Sequence, residues 1–233
     1  MKKITFSLVL AAVLLLAASS CVRVGKRIGK GKDMTKTLKA GYYNQLDISS
    51  LGDVYYTQGD KSSITLRGDS AEMANLDIAI VGSCLKITEK RGTRLNLAAR
   101  RRVVDVYLTS PDLIGATVRG AGDFAIEGAF DTDTLRLTLL GMGDIQMDNV
   151  VCDAANIELK GTGDINIGAL TAQWADIELR GTGDIDVKFL NTGDVRCTLR
   201  GVGDVNLSGN VKTLHKDIQG TGDIDTSSLK LGQ

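Results

Sequence analysis

The chain has 233 residues, with 28 Lys and Arg against 28 Asp and Glu, and only 4% aromatic residues. That length supports one domain with a sizeable core. A balanced charge gives no basic footprint for nucleic acid, and one histidine with no metal-type cysteine spacing offers little from which to build a metal centre or to imply a cofactor.

Lys2 and Lys3 open the chain, Ile4 to Ala18 is almost wholly apolar, and Ala17-Ala18-Ser19-Ser20 precedes Cys21. A charged start, a short apolar stretch and small residues before a cut mark a secretory signal peptide over residues 1–20. The segment resembles a bacterial lipoprotein signal, which implies cleavage before Cys21 and acylation of it; Ala18 departs from the Leu usual at that place. Ordinary cleavage with a free Cys21 is the alternative. Acyl chains anchor by burying methylenes, at about 0.8 kcal/mol each, so a membrane is the first expected partner. Without Lys2 and Lys3 the mature chain carries 26 basic and 28 acidic residues. Residues 21–39 start with Gly, Lys and Arg in quantity and read as a lipid-anchored flexible linker.

Residues 40–110 read as an irregular β-rich section. Alternating runs at Gln45–Ile48, Val54–Tyr56, Ile64–Leu66, Leu76–Ile80, Leu85–Ile87 and Val104–Leu108 are separated by Gly52-Asp53, Gly59-Asp60, Gly68-Asp69 and Gly82. Ser70 to Ala74 fits one helical turn capped by Asp69 or Ser70. Tyr42, Tyr43, Tyr55 and Tyr56 concentrate here, and alternation buries about half of them. The section is expected to cover one end of the repetitive C-terminal part, because exposed strand edges need covering.

From residue 111 to 233 the chain repeats. Gly-x-Gly-Asp recurs with its aspartate at Asp123, Asp144, Asp164, Asp184, Asp204 and Asp223, at intervals of 21, 20, 20, 20 and 19. A fixed period in this range signals a solenoid. Each motif leads into one alternating run (Ile165-Asn166-Ile167, Ile185-Asp186-Val187) and a second ends just before the next motif (Ile157-Glu158-Leu159, Ile177-Glu178-Leu179). Asn191-Thr192-Gly193-Asp194 falls midway, so each coil has at least two strands and two corners. The fold class is therefore all-β: a right-handed parallel β-helix or β-solenoid with about 20 residues per coil. Stacking makes inward columns of Ile157, Ile177 and Cys197, of Leu159, Leu179 and Leu199, and of Phe124, Ile145, Ile165, Ile185 and Val205. Cys84, Cys152 and Cys197 read as small buried hydrophobes, although one disulfide stays open.

The opening section, then Leu108-Thr109-Ser110-Pro111-Asp112-Leu113, then repeated Gly-x-Gly-Asp with Gly163-Asp164-Ile165-Asn166, resembles the head GIN domain, an auto-transporter adhesin family of Bacteroidetes and other bacteria. The likeness spans residues 40–226. It implies a β-helix-like fold and an envelope location, and carries no catalytic residues.

Three functions compete: an adhesin-like or ligand-binding envelope module with a glycan or protein ligand, a structural scaffold that assembles with partners or with itself, and a polysaccharide-acting β-helix enzyme. The lone His215 has no visible catalytic partner, and the regular carboxylates read as a structural turn ladder rather than an acid–base pair. Their repulsion calls for relief, from turn N–H groups and from Arg119, Lys160, Arg180 and Arg200, or from calcium. Trp174 is a candidate contact residue, with core packing as the alternative.

Overall fold

The computed structural model describes residues 31–90 and 103–232. Residues 1–20, read as a signal peptide, and Cys21 lie outside the described residues.

The repeats form a β-solenoid of about 6 turns with ~20 residues per coil. Six long strands build it: β9 (Phe124–Leu139), β10 (Ile145–Leu159), β11 (Ile165–Leu179), β12 (Ile185–Leu199), β13 (Val205–Ile218) and β14 (Ile224–Leu231). Each pairs in parallel with the next, Ile145 against Ile165, Ile165 against Ile185, Ile185 against Val205. The inward columns expected from the sequence are present in that register, with Ile157 on Ile177 on Cys197 and Leu159 on Leu179 on Leu199. All of these side chains are buried.

A coil contains three inward runs rather than the two visible in the sequence. In β10, Ile145 and Met147 face in, then Val150 and Cys152, then Ala155, Ile157 and Leu159. Two successive outward residues, Asp148-Asn149 and Asp153-Ala154, separate the runs. Strict alternation would put one of each pair inside, so every doublet turns the chain through a corner. β12 handles its first corner differently. Phe189 occupies the column of Leu170 one residue early, and Asn191, at φ 54°, restores the spacing in the left-handed region. Thr192 then seals the bend by donating its buried hydroxyl to the Leu170 carbonyl at 2.8 Å.

The front section continues the same stack by a different route. Its strands are β1 (Asp33–Leu38), β2 (Gln45–Ser49), β3 (Val54–Gln58), β4 (Ser63–Asp69), β5 (Leu76–Val81), β6 (Cys84–Glu89), β7 (Asp105–Ser110) and β8 (Gly115–Val118). The helical turn α1 (Ser70–Met73) is capped by Asp69, whose carboxylate accepts the Ala71 N–H. β3 continues the first run beneath β9, and β8 continues the last run beneath it, both in parallel. β7 lies between β3 and β4, pairing parallel with the former and antiparallel with the latter. Outermost stand β1 on β4 and β5 on β6, both antiparallel. β1 falls inside the stretch read as linker. Its residues are exposed along almost their whole length, so an edge strand of this kind leaves no apolar alternation to read.

Tyr43 and Tyr56 are fully buried, each donating its hydroxyl to a backbone carbonyl, Thr109 at 2.8 Å and Ser110 at 2.9 Å. Tyr42 is exposed and Tyr55 faces outward. Cys84, Cys152 and Cys197 are free thiols, the latter two buried. Burial pushes Cys152 up to about 11 and Cys197 up to about 12. A thiol whose folded value exceeds its unfolded value of about 8.5 stays neutral in the fold while the unfolded chain ionises. Its contribution is therefore whole below about pH 8.5 and is lost as pH rises towards 12. In a Cys21→Ser chain, iodoacetamide at pH 8 is expected to spare Cys152 and Cys197 until denaturant is added, as read by peptide mass mapping.

Candidate functional site

The Gly-x-Gly-Asp turns stack so closely that glycine is dictated by the preceding coil. A Cβ on Gly161, Gly181 or Gly201 would overlap the carbonyl oxygen of the glycine one coil below. The second glycines are equally hemmed in, and Gly163, Gly183, Gly203 and Gly222 have φ of 133–149°, a region costly to other residues.

Each aspartate then ties one coil to the next. Oδ1 of Asp123 accepts the N–H of Asp144 at 2.9 Å, Asp144 accepts from Asp164 at 2.9 Å, and Asp164 from Asp184 at 2.8 Å. Asp184 accepts from Asp204 at 2.8 Å and Asp204 from Asp223 at 2.9 Å. At the last rung the Asp223 carboxylate takes the N–H of Ile224. The ladder runs further than the repeat: Asp53 accepts from Asp123 at 3.0 Å, and Asp105 stands on the rung beyond, where the Val106 N–H meets the Asp53 carbonyl at 2.9 Å. By alternation alone Gly52-Asp53 reads only as a breaker. Gly52-Asp53-Val54 copies the end of the repeat, which was the available signal. Asp105 has no glycine before it, and only the placement of β7 reveals its rung.

Carboxylate oxygens thus face backbone donors along the rod, which relieves their mutual repulsion. The basic residues that precede four of the six motifs do not share in this. Lys160 pairs with Glu158 at 2.7 Å, Arg180 with Glu178 at 2.7 Å, Arg200 with Glu178 at 3.6 Å and Arg119 with Asp47 at 2.9 Å. The reason is geometric: Glu178 sits two residues before Arg180 on the same outward side, whereas the turn carries Asp184 round to the next side. Lys160, Arg180 and Arg200, with Thr162, Thr182 and Val202, border an open groove of about 770 Å³. Among the described residues no group of three or more His, Cys, Asp or Glu is placed to hold a metal ion.

Replacing Asp164 by Ala leaves the Asp184 N–H without its acceptor and is expected to cost about 1–2 kcal/mol. Asp164→Asn keeps an Oδ1 acceptor and removes a charge, so it is expected to be neutral within about 0.5 kcal/mol. Urea unfolding of the two variants distinguishes the staple from a role of charge, and addition of a chelator is expected to leave the midpoint in place.

Beside the ladder, on the same outward side, runs a second column. In spatial order it is Tyr107, Tyr55, Ala125, Gln146, Asn166, Asp186, Asn206 and Asp225. Tyr55 and Tyr107 stack with centroids 5.0 Å apart and planes 17° from parallel, and the Arg67 guanidinium lies 4.3 Å from the Tyr107 centroid. Burial and the carboxylates of Asp53, Asp105 and Asp123 push the Tyr55 phenol up. Burial and Asp53 likewise raise Asp105, against the N–H of Asp53 and Arg67. This side is therefore flat, acidic and rich in amides. Trp174 is elsewhere, 42% exposed at the second corner of β11 between Ala154 and Asp194. His215 is exposed on β13, aligned with Arg196.

A family model described as "Putative auto-transporter adhesin, head GIN domain" matches residues 42–173 and 156–233. The chain belongs to this family. The same rod occurs in a "putative adhesin" of Bacteroides fragilis, with a TM-score of 0.67 and 23% identity, covering 83% of this chain and 96% of that one. It occurs also in a "putative lipid binding protein" of Parabacteroides distasonis, with a TM-score of 0.66, 17% identity and coverage of 84% and 97%. A third, a "putative adhesin" of Parabacteroides merdae, gives 0.58, 18%, and 84% and 97%. At these identities the likeness to solved structures shows the fold alone. No curated protein is matched. The head GIN family and these three structures carry adhesin or binding names, and none is named an enzyme.

Proposed function

We propose that this head GIN protein is a cell-envelope lipoprotein, anchored through acylated Cys21, whose solenoid acts as an adhesin-like binding module for a glycan or protein and has no catalytic centre. The observation that carries this is the ladder side of the rod. Its interior neighbours are spent on packing and its carboxylates on stapling coils, yet its outward column changes from amides and carboxylates to stacked tyrosines at one end. A rigid, flat side with locally distinct residues suits recognition, because little order has to be created on binding. The test has two parts. Labelling cells with a fatty-acid analogue is expected to mark the wild type and not Cys21→Ala, and protease added to intact cells reports whether the rod lies outside. Immobilised rod is then screened against glycans and envelope or host proteins, with Tyr55→Leu and Trp174→Ala as controls. Lack of acyl label overturns the anchor, and turnover of a glycan abolished by a point substitution overturns the non-catalytic reading.

One observation favours the scaffold role instead. β14 covers β13 only as far as Val211, so among the described residues the far edge of Thr213–Ile218 has no strand partner. Yet the inward column of Ile157, Ile177 and Cys197 ends here in Lys216, whose Nζ lies 3.3 Å from the Ile224 carbonyl and from the Thr226 hydroxyl. A charge in an inward column guards an open edge against further pairing. Lys216→Ile is therefore expected to associate with rising concentration in sedimentation velocity while the wild type stays monomeric. A wild type that itself associates would favour the scaffold.

A further inference from the structure

The tyrosine stack is closed at one end and open at the other. Arg67 covers the outer face of Tyr107, and Tyr107 covers one face of Tyr55. On the other side of Tyr55 the next rung is Ala125, and the rung after that is Gln146. Rungs are about 4.8 Å apart, so roughly 9–10 Å separates the Tyr55 rung from that of Gln146. An alanine methyl does not reach out to the level of a ring, which leaves a slot deep enough for one planar group. Ala125 is half-buried, so its floor is reached by solvent. Asp53 and Asp123 flank the slot two residues back along each strand, and exposed Glu127 flanks it two residues on. Among the described residues no cation is ion-paired with Asp53, Asp123 or Glu127, and no ring or cation is stacked on the open face of Tyr55.

We propose that this slot receives an arginine side chain of a partner polypeptide, its guanidinium stacked on Tyr55 and hydrogen-bonded to Asp123 and Glu127. The assignment rests on the binding-module reading and names its partner. The molecule displays the same contact once already, with Arg67 on the opposite end of the two-ring stack. A guanidinium is planar and forked, so it stacks and meets carboxylates side-on at once, which an ammonium cannot do. A neutral sugar ring gains the stacking but brings no positive charge to the three flanking carboxylates. The negative environment also shows in the raised Tyr55 phenol, to which Asp53, Asp105 and Asp123 contribute after burial.

The experiment titrates the mature chain with acetyl-triarginine amide, acetyl-trilysine amide and maltotriose, by calorimetry at low salt. Ala125→Leu fills the slot from an outward position, and Glu127→Gln removes a flank without altering packing; thermal unfolding checks that both remain folded. The triarginine peptide is expected to bind at least about 5-fold more tightly than trilysine, and to weaken by about 10-fold in Ala125→Leu and about 3-fold in Glu127→Gln. Equal binding of the two peptides, no binding of triarginine, or triarginine binding indifferent to both variants would overturn the proposal. Maltotriose binding abolished by Ala125→Leu would also overturn it, by assigning the slot to a sugar, while leaving the binding-module reading intact.

Discussion

Gly183→Ala is expected to lower the stability of the rod by about 4 kcal/mol, read as a drop in the urea midpoint. Two independent costs combine. The residue has φ of 133°, which an alanine adopts only with strain of about 1–3 kcal/mol. Its Cβ would also overlap the Gly163 carbonyl, with Asp164 Oδ1 at 3.0 Å from it. Moving those atoms disturbs the hydrogen bond from Asp184 to Asp164 and the pairing of the coils on either side. Overpacking of this kind costs about 1–3 kcal/mol more. Gly82 makes the control: it has φ of 64°, but a Cβ there meets nothing within 4 Å, so Gly82→Ala should show the strain alone. Similar losses at both sites would mean that the turns are not stacked as described.

Phe189→Ala is expected to cost about 3–5 kcal/mol. The ring is fully buried and lies between Leu170 and the backbone of Gly209 in successive coils. Gly209 itself has no space for a side chain, since a Cβ would overlap the Phe189 carbonyl, and its φ is 92°. No neighbouring side chain in that column is therefore able to move into the vacated volume from the β13 side. Solenoid stability sums over neighbouring coils, so the loss should concentrate in β12 and its neighbours β11 and β13. Hydrogen exchange is expected to show faster exchange of those amides with the β9 amides close to wild type.

Much of this fold was legible in the sequence because the period is nearly constant. Equal spacing of Asp144, Asp164, Asp184 and Asp204 fixes the register, and register fixes the columns. The sequence sets only a minimum of two runs per coil; the third is not legible because most of its corners are marked only by two successive outward residues, such as Gln173-Trp174, and Asn191-Thr192-Gly193-Asp194 in β12 is where turn chemistry shows them. β1 escaped because an exposed edge strand obeys no burial pattern. The two extra rungs at Asp105 and Asp53 escaped for a topological reason. In space the order is Asp105, Asp53, Asp123, and no local rule predicts that β7 slips beneath β3. The tyrosine stack has the same origin, since Tyr55 and Tyr107 meet only through that pairing. The salt bridges of Arg180 and Lys160 show the converse. A basic residue beside an acidic motif in sequence suggested a pair, but the turn between them places the two on different sides.

The central claim is that successive coils lie parallel and in register, so that like positions meet. Paired cysteines test it directly. Asn166 and Asp186 face outward on neighbouring rungs in register, whereas Asn166 and Lys188 are displaced by two residues. Neighbouring rungs bring Cα atoms within the range that a disulfide spans, about 4.4–6.8 Å. In an otherwise cysteine-free chain, mild oxidation is expected to close an intramolecular disulfide in Asn166→Cys/Asp186→Cys and not in Asn166→Cys/Lys188→Cys, as read by mass spectrometry of proteolytic peptides. Closure of the displaced pair in preference to the aligned one would contradict the stacked register and everything built on it.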